Sequence, residues 1–478
     1  MATPIPQNDA AFDLEDILGA TGGRVMGALG ERYLGLSGVG TDTRRLRRGE
    51  IFVALKGAQH DGHRYLEAAA EAKAGLALVE REVPRPEGGM TLVRVDDTWR
   101  ALRQLASHHL ERWRRHHQGR VLAVTGSAGK TTTKAAIGAI LDEVVPRLSH
   151  VTPGNLNNLV GVPMTIFGLG ASHRYAVLEM GTNQKGEIPT LARLGRPDVA
   201  MVTLISAAHT EGLGGIDGVE QEKLAMFTEA PRMAVRIGNA DDARVRAGLS
   251  SYGLRGLGYG THASASYRID SRHLDGTLQR TELSVLDRHL SVAAPLFGAV
   301  GSLAVAAAVA GAEALLERRL GADEVEAGLS RFEAGRRFRL LEAGALKIVD
   351  DTYNANPASC AASLATAAEL AAADDRRLLV VLGEMRELGA ESLEAHRELG
   401  ARAAEHGADV IAIGGDARHL ADAARAAGAR ALFVEEAAEA IALLRERLSP
   451  PQDFLVLVKA SRSIRAERVV DALVGDAS

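Results

Sequence analysis

The chain has 478 residues, 46% of them apolar and 24% charged, with a formal net charge of -5 at neutral pH. That length exceeds one ordinary core and predicts two or three domains of about 150 residues each. The mild negative charge excludes a polyanion-binding surface as the main business, so no nucleic-acid partner is expected.

The start, MATPIPQNDAAFDLEDILGA, has no basic segment leading into an apolar one, so no signal peptide is read there. The single cysteine, Cys360, cannot close an internal disulfide, which fits a reducing cytoplasm. It reads as a small buried apolar side chain. Of 56 basic residues only eight are lysine. In so arginine-rich a chain, a lysine inside a candidate site hints at chemistry that arginine cannot perform.

Residues 41–95 mix short strand-like runs, Ile51 to Leu55, Leu76 to Val79 and Thr91 to Val95, with polar loops. Residues 98–113 carry Leu102, Leu105, Ala106, Leu110 and Trp113 at helical spacing, and the polar RRHHQG that follows marks a domain boundary. Val121 to Val124, Tyr175 to Glu179 and Val199 to Ile205 read as buried parallel strands. Residues from about 243 to 295 read as short strands and turns. Residues 299–316 are alanine-rich, interrupted by glycine and Glu313, and short for a membrane span, which predicts a buried helix. From about Gly335 the runs KIVDD, RLLVVLG, DVIAIGG, ALFVE and FLVLVK alternate with alanine-rich helices, the pattern of a doubly wound unit. It holds no intact G-x-G-x-x-G, so no dinucleotide site is expected in it.

The stretch VLAVTGSAGKTTTKAAIGAI carries the chemistry. A strand ends at Val124, a loop runs over Thr125, Gly126, Ser127, Ala128 and Gly129, and Lys130, Thr131 and Thr132 open a helix. Glycines let backbone N–H groups converge on phosphate oxygens, and the helix N-terminus adds partial positive charge. Lys130 would reach the outer phosphates and the Thr131 hydroxyl would ligate magnesium. The short form G-x-x-G-K-T is present; the longer G-x-x-x-x-G-K-T is not, because position 124 is valine.

The expected fold class is α/β in three domains. A small N-terminal α/β domain spans 1–118, a central P-loop ATPase domain with a parallel sheet spans 119–333, and a C-terminal Rossmann-like doubly wound domain spans 334–478. Ligands of open parallel sheets sit beyond the carboxyl ends of the strands. Glu179 and His209 follow two such ends, and Lys223 lies fourteen residues after His209 on a predicted helix. A carboxylate there suits magnesium. Singly, Glu179 could cap a helix, His209 could be a satisfied loop histidine and Lys223 could lie on a solvated face.

With these residues together, the chain resembles the Mur ligase family over nearly its whole length. The resemblance implies ATP-dependent amide formation in cell-wall precursor synthesis. It implies that Thr131 and Glu179 bind one magnesium ion, and that His209 and a carbamylated Lys223 help bind a second. TDTRRLRRGEIFVALKGAQHDGHRYL resembles the part that holds a UDP end, with Thr41, Asp42, Thr43 and Arg44 as the contact loop. TPGNLNNLVGVPMT resembles the muramoyl-substrate loop, which makes Asn157 and Asn158 substrate contacts. ATP contacts map onto Arg336, Asp351, Asn354 and Asn356.

DDTYNANP, LGEMRELG with His396 nearby, and LVKASR are similar to the member that adds D-alanyl-D-alanine to UDP-N-acetylmuramoyl-tripeptide. The preceding muramoyl-peptide ligase would show D-N-P-R, which is absent. That step, a folylpolyglutamate-type ligase and a nucleotide-binding scaffold without turnover are the competing readings. The resemblance implies a cytoplasmic monomer without membrane insertion. The chain departs from the family at Leu224 and Ala225, where Gly-Glu is usual. It departs again at LFGAVGSLAVA, where Ala299, Val300, Gly301 and Ala304 replace a segment that carries an asparagine near the nucleotide.

Overall fold

The computed structural model describes residues 4–30, 35–57, 60–207, 210–333, 335–448 and 453–476. Among the described residues three large sheets follow one another along the chain. The first has the order Arg24–Met26, Thr91–Arg94, Leu76–Val79, Ile51–Val53, Val39–Gly40, with only its first pair antiparallel. Helix Thr98–His117 closes over it, started by the Asp97 carboxylate, which accepts the Arg100 N–H at 2.8 Å. The helix runs through Arg114–His117, beyond the expected linker point. Arg114 is held there by Asp198 at 2.9 Å and Trp113 by the His173 carbonyl at 3.2 Å.

The second sheet has nine strands. From Ser149–Val151 the order runs through Tyr175–Glu179, Arg120–Thr125, Val199–Val202, Val235–Asn239 and Gly256–Gly260 to Tyr267–Asp275, all paired parallel. Leu278–Val285 and Arg288–Ala294 extend it antiparallel. The region expected to hold only strands and turns opens instead with helix Ala243–Leu249. The Asp242 carboxylate starts that helix by accepting the Arg244 and Val245 N–H groups.

Helix Gly298–Leu316 packs on this sheet beside helix Lys130–Val144. It is long and apolar enough to cross a membrane, yet 72% of its most apolar window is buried within the protein. Val305, Val309 and Leu315 are fully buried, each contributing about 1.5–3 kcal/mol. Contact is close: a Cβ on Gly311 would lie 2.8 Å from Ile137 Cδ1.

The third sheet has the order Arg339–Ala343, Leu346–Asp350, Phe454–Lys459, Arg377–Gly383, Asp409–Ile413, Ala431–Val434. Its five expected strands all form and pair parallel, with helices between them. The antiparallel edge strand Arg339–Ala343 was not expected. Cys360 is buried, and burial pushes its thiol up to about 11.

Candidate active site

Strand Arg120–Thr125 lies between Tyr175–Glu179 and Val199–Val202, in a register that sets Val124 beside Glu179 and Thr125 beside Val202. The three strand ends therefore open at one edge, where chain order reverses across the sheet and a crevice forms. Gly126 has φ 146°, and a Cβ there would lie 2.1 Å from Thr203 Oγ1, so no side chain fits. Gly129, at φ 84°, turns the chain into helix Lys130–Val144. The loop is fixed from outside. Thr203 Oγ1 donates to the Ala128 carbonyl at 2.5 Å, Ser127 N–H to the Leu204 carbonyl at 2.7 Å and Ser127 Oγ to the Ser206 carbonyl at 2.9 Å.

Lys130 is turned back onto the Gly126 carbonyl. Burial pulls its ammonium below the ordinary value and Arg337 adds to this, while Glu179 opposes both. Extra negative charge would relieve that unfavourable environment, as a phosphate group would bring.

Glu179 is 1% exposed and is the centre of the polar cluster. Its Oε1 accepts from Thr131 Oγ1 at 2.9 Å and Asn157 Nδ2 at 2.8 Å. Its Oε2 lies 3.1 Å from Lys134 Nζ, an ion pair without hydrogen-bond geometry, so this oxygen accepts no hydrogen bond although buried. Lys134 itself donates to the Thr152 and Gly154 carbonyls at 2.9 and 2.7 Å. Burial alone would raise the Glu179 pKa. The charges of Lys134 and Lys130 and the two hydrogen bonds outweigh it and hold the carboxyl below its ordinary value.

An ionised carboxylate with one open oxygen, bonded to a threonine hydroxyl, fits a hard cation such as magnesium. Among the described residues no group of three or more His, Cys, Asp or Glu is placed to hold a metal ion by itself. A magnesium ion here would complete its shell with water and phosphate oxygens, as it does at nucleotide sites.

Lys223, on helix Ile216–Glu229, is 2% exposed. Burial, reinforced by the Lys130 charge, pushes its ammonium well below the ordinary lysine value against the pull of Glu222 and Glu187. Glu222 has a different task, accepting the Gly186 and Ile188 N–H groups at 2.8 and 2.7 Å. At the departure after Lys223, Leu224 packs over Gly248, its Cδ2 2.7 Å from where a Cβ would stand. His209 lies outside the described residues. The chain leading to it is held by the Ile205 N–H donating to Asp242 Oδ2 at 2.6 Å.

The phosphate loop, Asn157 and Glu179 border a cavity of about 650 Å³, which Lys134 and Lys223 do not line. Ser127 to Thr133, Asn157, Asn158 and Glu179 line one side; Asp351, Asn354, Asn356 and Lys459 line the other. Thr125 and Gly126 sit behind the loop and do not line it. Asn158 Oδ1 is used within the chain, accepting the Val160 and Gly161 N–H groups. Asp351 is anchored by Lys459 at 2.6 Å and by Ser363. Arg336 turns away to Asp350 at 3.1 Å and Asp471 at 2.8 Å, whereas Arg337 lines the cavity and stacks over Tyr353 at 3.5 Å. Thr41–Arg44 stands apart in the first sheet region, where Asp42 accepts the Arg44 N–H and pairs with its guanidinium. That hydrogen-bonded pairing lowers the Asp42 pKa.

The departure at 296–304 becomes an apolar wall of Leu296, Phe297, Val300 and Ala304, with Asn239 and Tyr259 as polar neighbours. Four residues of this site escaped the sequence reading: Lys134, Thr203, Arg337 and Lys459. The scarcity of lysine was the available signal. Four of the eight lysines, 130, 134, 223 and 459, belong to this one region.

Three family matches run along the chain: the Mur ligase family catalytic domain over 35–110, the Mur ligase middle domain over 124–312, and the Mur ligase glutamate ligase domain over 336–462. The UDP-N-acetylmuramoyl-tripeptide--D-alanyl-D-alanine ligase of Escherichia coli is 35% identical over 443 residues, covering 92% of this chain and 94% of that one. The chain belongs to the Mur ligase family. MurF of Acinetobacter baumannii has the same Mur ligase architecture, with a TM-score of 0.85 at 27% identity over 98% of this chain and 100% of that one. MurF of Thermotoga maritima, solved in complex with ADP, gives 0.79 at 25% identity over 92% and 97%.

Proposed function

We propose that this Mur ligase joins D-alanyl-D-alanine to UDP-N-acetylmuramoyl-tripeptide, spending ATP to activate the tripeptide carboxylate and releasing ADP and phosphate. The observation that carries this reading is the meeting of phosphate loop and Glu179 at one cavity, with buried Lys223 within electrostatic reach of Lys130. Relatives named for that substrate pair match over nine-tenths of the chain, among them the Escherichia coli enzyme.

A carboxylate is a poor electrophile, so an amide does not form from it directly. Transfer of the terminal phosphoryl group gives an acyl phosphate, which the amine attacks through a tetrahedral intermediate that expels phosphate. Bringing two like unit charges to about 4 Å costs roughly 4 kcal/mol at an effective dielectric of about 20. Lys130 and Arg337 face that cost as cations in the cavity, and the loop N–H groups hold the phosphates. Thr131 and Glu179 would hold one magnesium ion, and His209 with a carbamylated Lys223 would help hold a second; these would supply Lewis-acid polarisation and charge neutralisation. The wall built by Asp351, Asn354 and Lys459 excludes water from the reactive acyl group.

Burial pushes the Lys223 amine towards its neutral form, which is the form that attacks carbon dioxide. A nitrogen–carbon bond forms, a proton leaves and an anionic oxygen donor results. Arginine cannot follow this route.

In this reading Ser127 to Thr132, Asp351 and Asn354 contact ATP, joined by Arg337 in place of Arg336. Asn157 and Asn158 contact the muramoyl peptide and Thr41–Arg44 the UDP end. The chain works as three units, 1–118, 119–333 and 334–478, since each of the three sheets falls within one of them. It acts as a monomer in the cytoplasm, where the ATP and the UDP-linked substrate that the reaction needs are found.

Purified protein with ATP, magnesium and UDP-muramoyl-tripeptide should release phosphate when D-alanyl-D-alanine is added. Release with a single amino acid and the dipeptide precursor instead would move the chain to the preceding step. No release with any acceptor would sink the reading.

A further inference from the structure

Lys134 follows Lys130 by one turn of helix Lys130–Val144 and so shares its face. It is 4% exposed, and three oxygens converge on its ammonium. Nζ donates to the Thr152 carbonyl at 2.9 Å and to the Gly154 carbonyl at 2.7 Å, and it lies 3.1 Å from Glu179 Oε2 without hydrogen-bond geometry. Such a convergence suits lysine, which carries three donors at one point, and not the planar fork of arginine.

The two carbonyls belong to a loop, residues 152–158, that leaves the edge strand Ser149–Val151 and closes round Glu179. Thr152 Oγ1 accepts the Glu179 N–H at 2.9 Å, Asn157 Nδ2 donates to Glu179 Oε1 at 2.8 Å, and the Asn157 carbonyl accepts the Gly181 N–H at 2.7 Å. Loop and glutamate are therefore joined at the main chain, at Oε1 and, through Lys134, at Oε2. The last of these joints is a single charge divided between the two.

We propose that Lys134 is a positioning residue that couples the charge on Glu179 to the order of loop 152–158, which receives the muramoyl peptide. The proposal rests on the ligase reading and deepens it. With Oε2 open, the ammonium divides its attraction between the carboxylate and the two carbonyls. A divalent cation held by Glu179 would repel the ammonium and neutralise that oxygen in its place. Lys134, too deeply buried to turn to water, is then left with Thr152 and Gly154, and its charge-assisted bonds to them tighten. Asn157 lies in the same loop, so charge at the phosphate end sets the place of a substrate contact. By linkage the dependence runs both ways, and a loop ordered by substrate draws the ammonium off Oε2 and favours the cation.

The first measurement uses the native full-length protein with ADP, and manganese as the probe cation. Amide hydrogen exchange should slow by about threefold or more over residues 153–160 and at Gly181 when manganese is added without UDP substrate. In Lys134→Gln, which keeps an amide donor but no charge, that slowing should vanish. The dissociation constant for manganese, read by electron paramagnetic resonance, should fall by about threefold in the variant because a competing positive charge is gone. The KM for UDP-muramoyl-tripeptide should rise by about tenfold, with the KM for ATP within about twofold of native. A loss of packing alone would weaken cation and substrate together, so the opposite directions distinguish coupling from structural damage. Unchanged exchange in the native loop on adding manganese, or a variant in which manganese and UDP substrate both bind more weakly, would overturn the proposal. The native measurement needs no variant and decides the question even if Lys134→Gln does not fold. A native protein that releases no phosphate with any acceptor removes the ligase reading itself.

Discussion

Thr131 and Glu179, 48 residues apart in sequence, meet at 2.9 Å, the hydroxyl donating to Oε1. The helix that carries the phosphate loop and the neighbouring strand thus present one hydroxyl and one ionised carboxylate as a unit. Glu179→Gln keeps the shape and removes the charge. It should lower kcat by about 10²–10³ while circular dichroism stays native. Turnover within a few-fold of native would remove Glu179 from the chemistry.

Lys134→Met leaves the buried Glu179 carboxylate without its ion-pair partner. Breaking such a pair costs about 3–5 kcal/mol. Urea unfolding should show that loss, and the double variant Lys134→Met/Glu179→Met should recover part of it. A Lys134→Met protein as stable as native would mean that the pair contributes nothing.

Lys223 is neutral when folded and protonated when unfolded over the range between its depressed pKa and the ordinary lysine value. The unfolded state then binds more protons, so in carbon-dioxide-free buffer this residue makes stability rise with pH across that range. Lys223→Met should flatten that slope and abolish phosphate release. Lys223→Arg should also be inactive. Turnover by either variant would contradict the carbamate role.

His150 stacks on His173 with ring centroids 5.0 Å apart, and burial pushes it down to about 4. It stays neutral in the folded protein while the unfolded chain takes up a proton below about 6.5. Stability should therefore fall as pH drops from about 6.5 to about 4, by up to about 1.4 kcal/mol per unit from this group. His150→Gln should reduce that slope in chemical denaturation at stepped pH; an unchanged slope would assign it to other groups.

Arg337→Ala should raise the KM for ATP by about tenfold, because its charge faces the cavity. Arg336→Ala should instead weaken the packing of Asp350 and Asp471, with a smaller effect on ATP. Isothermal titration with ADP separates the two, and the reverse order would restore Arg336 as the nucleotide contact.

What the sequence revealed was local. Gly126 to Thr131 are legible because a strand, a glycine loop and a helix start follow one another within a few residues. The apolar run 299–316 is legible because a helix apolar on all sides must be buried. What it hid depends on tertiary register. Lys134 stands one helical turn after Lys130, but its pairing with Glu179 is set by the alignment of a separate strand. Arg336 and Arg337 are adjacent in a bend between Gly335 and Phe338, and only the fold decides which one faces the cavity. The edge strand Arg339–Ala343 has a short, mixed pattern that carries no signal without its partner Leu346–Asp350.

Activation of the tripeptide carboxylate by ATP has one direct signature. UDP-muramoyl-tripeptide labelled with oxygen-18 in its reacting carboxylate should be turned over with ATP and D-alanyl-D-alanine, and the released phosphate weighed by mass spectrometry. An acyl phosphate transfers one labelled oxygen to phosphate and leaves the other in the new amide. Phosphate that carries no label while product forms would contradict carboxylate activation at the Lys130, Thr131 and Glu179 site.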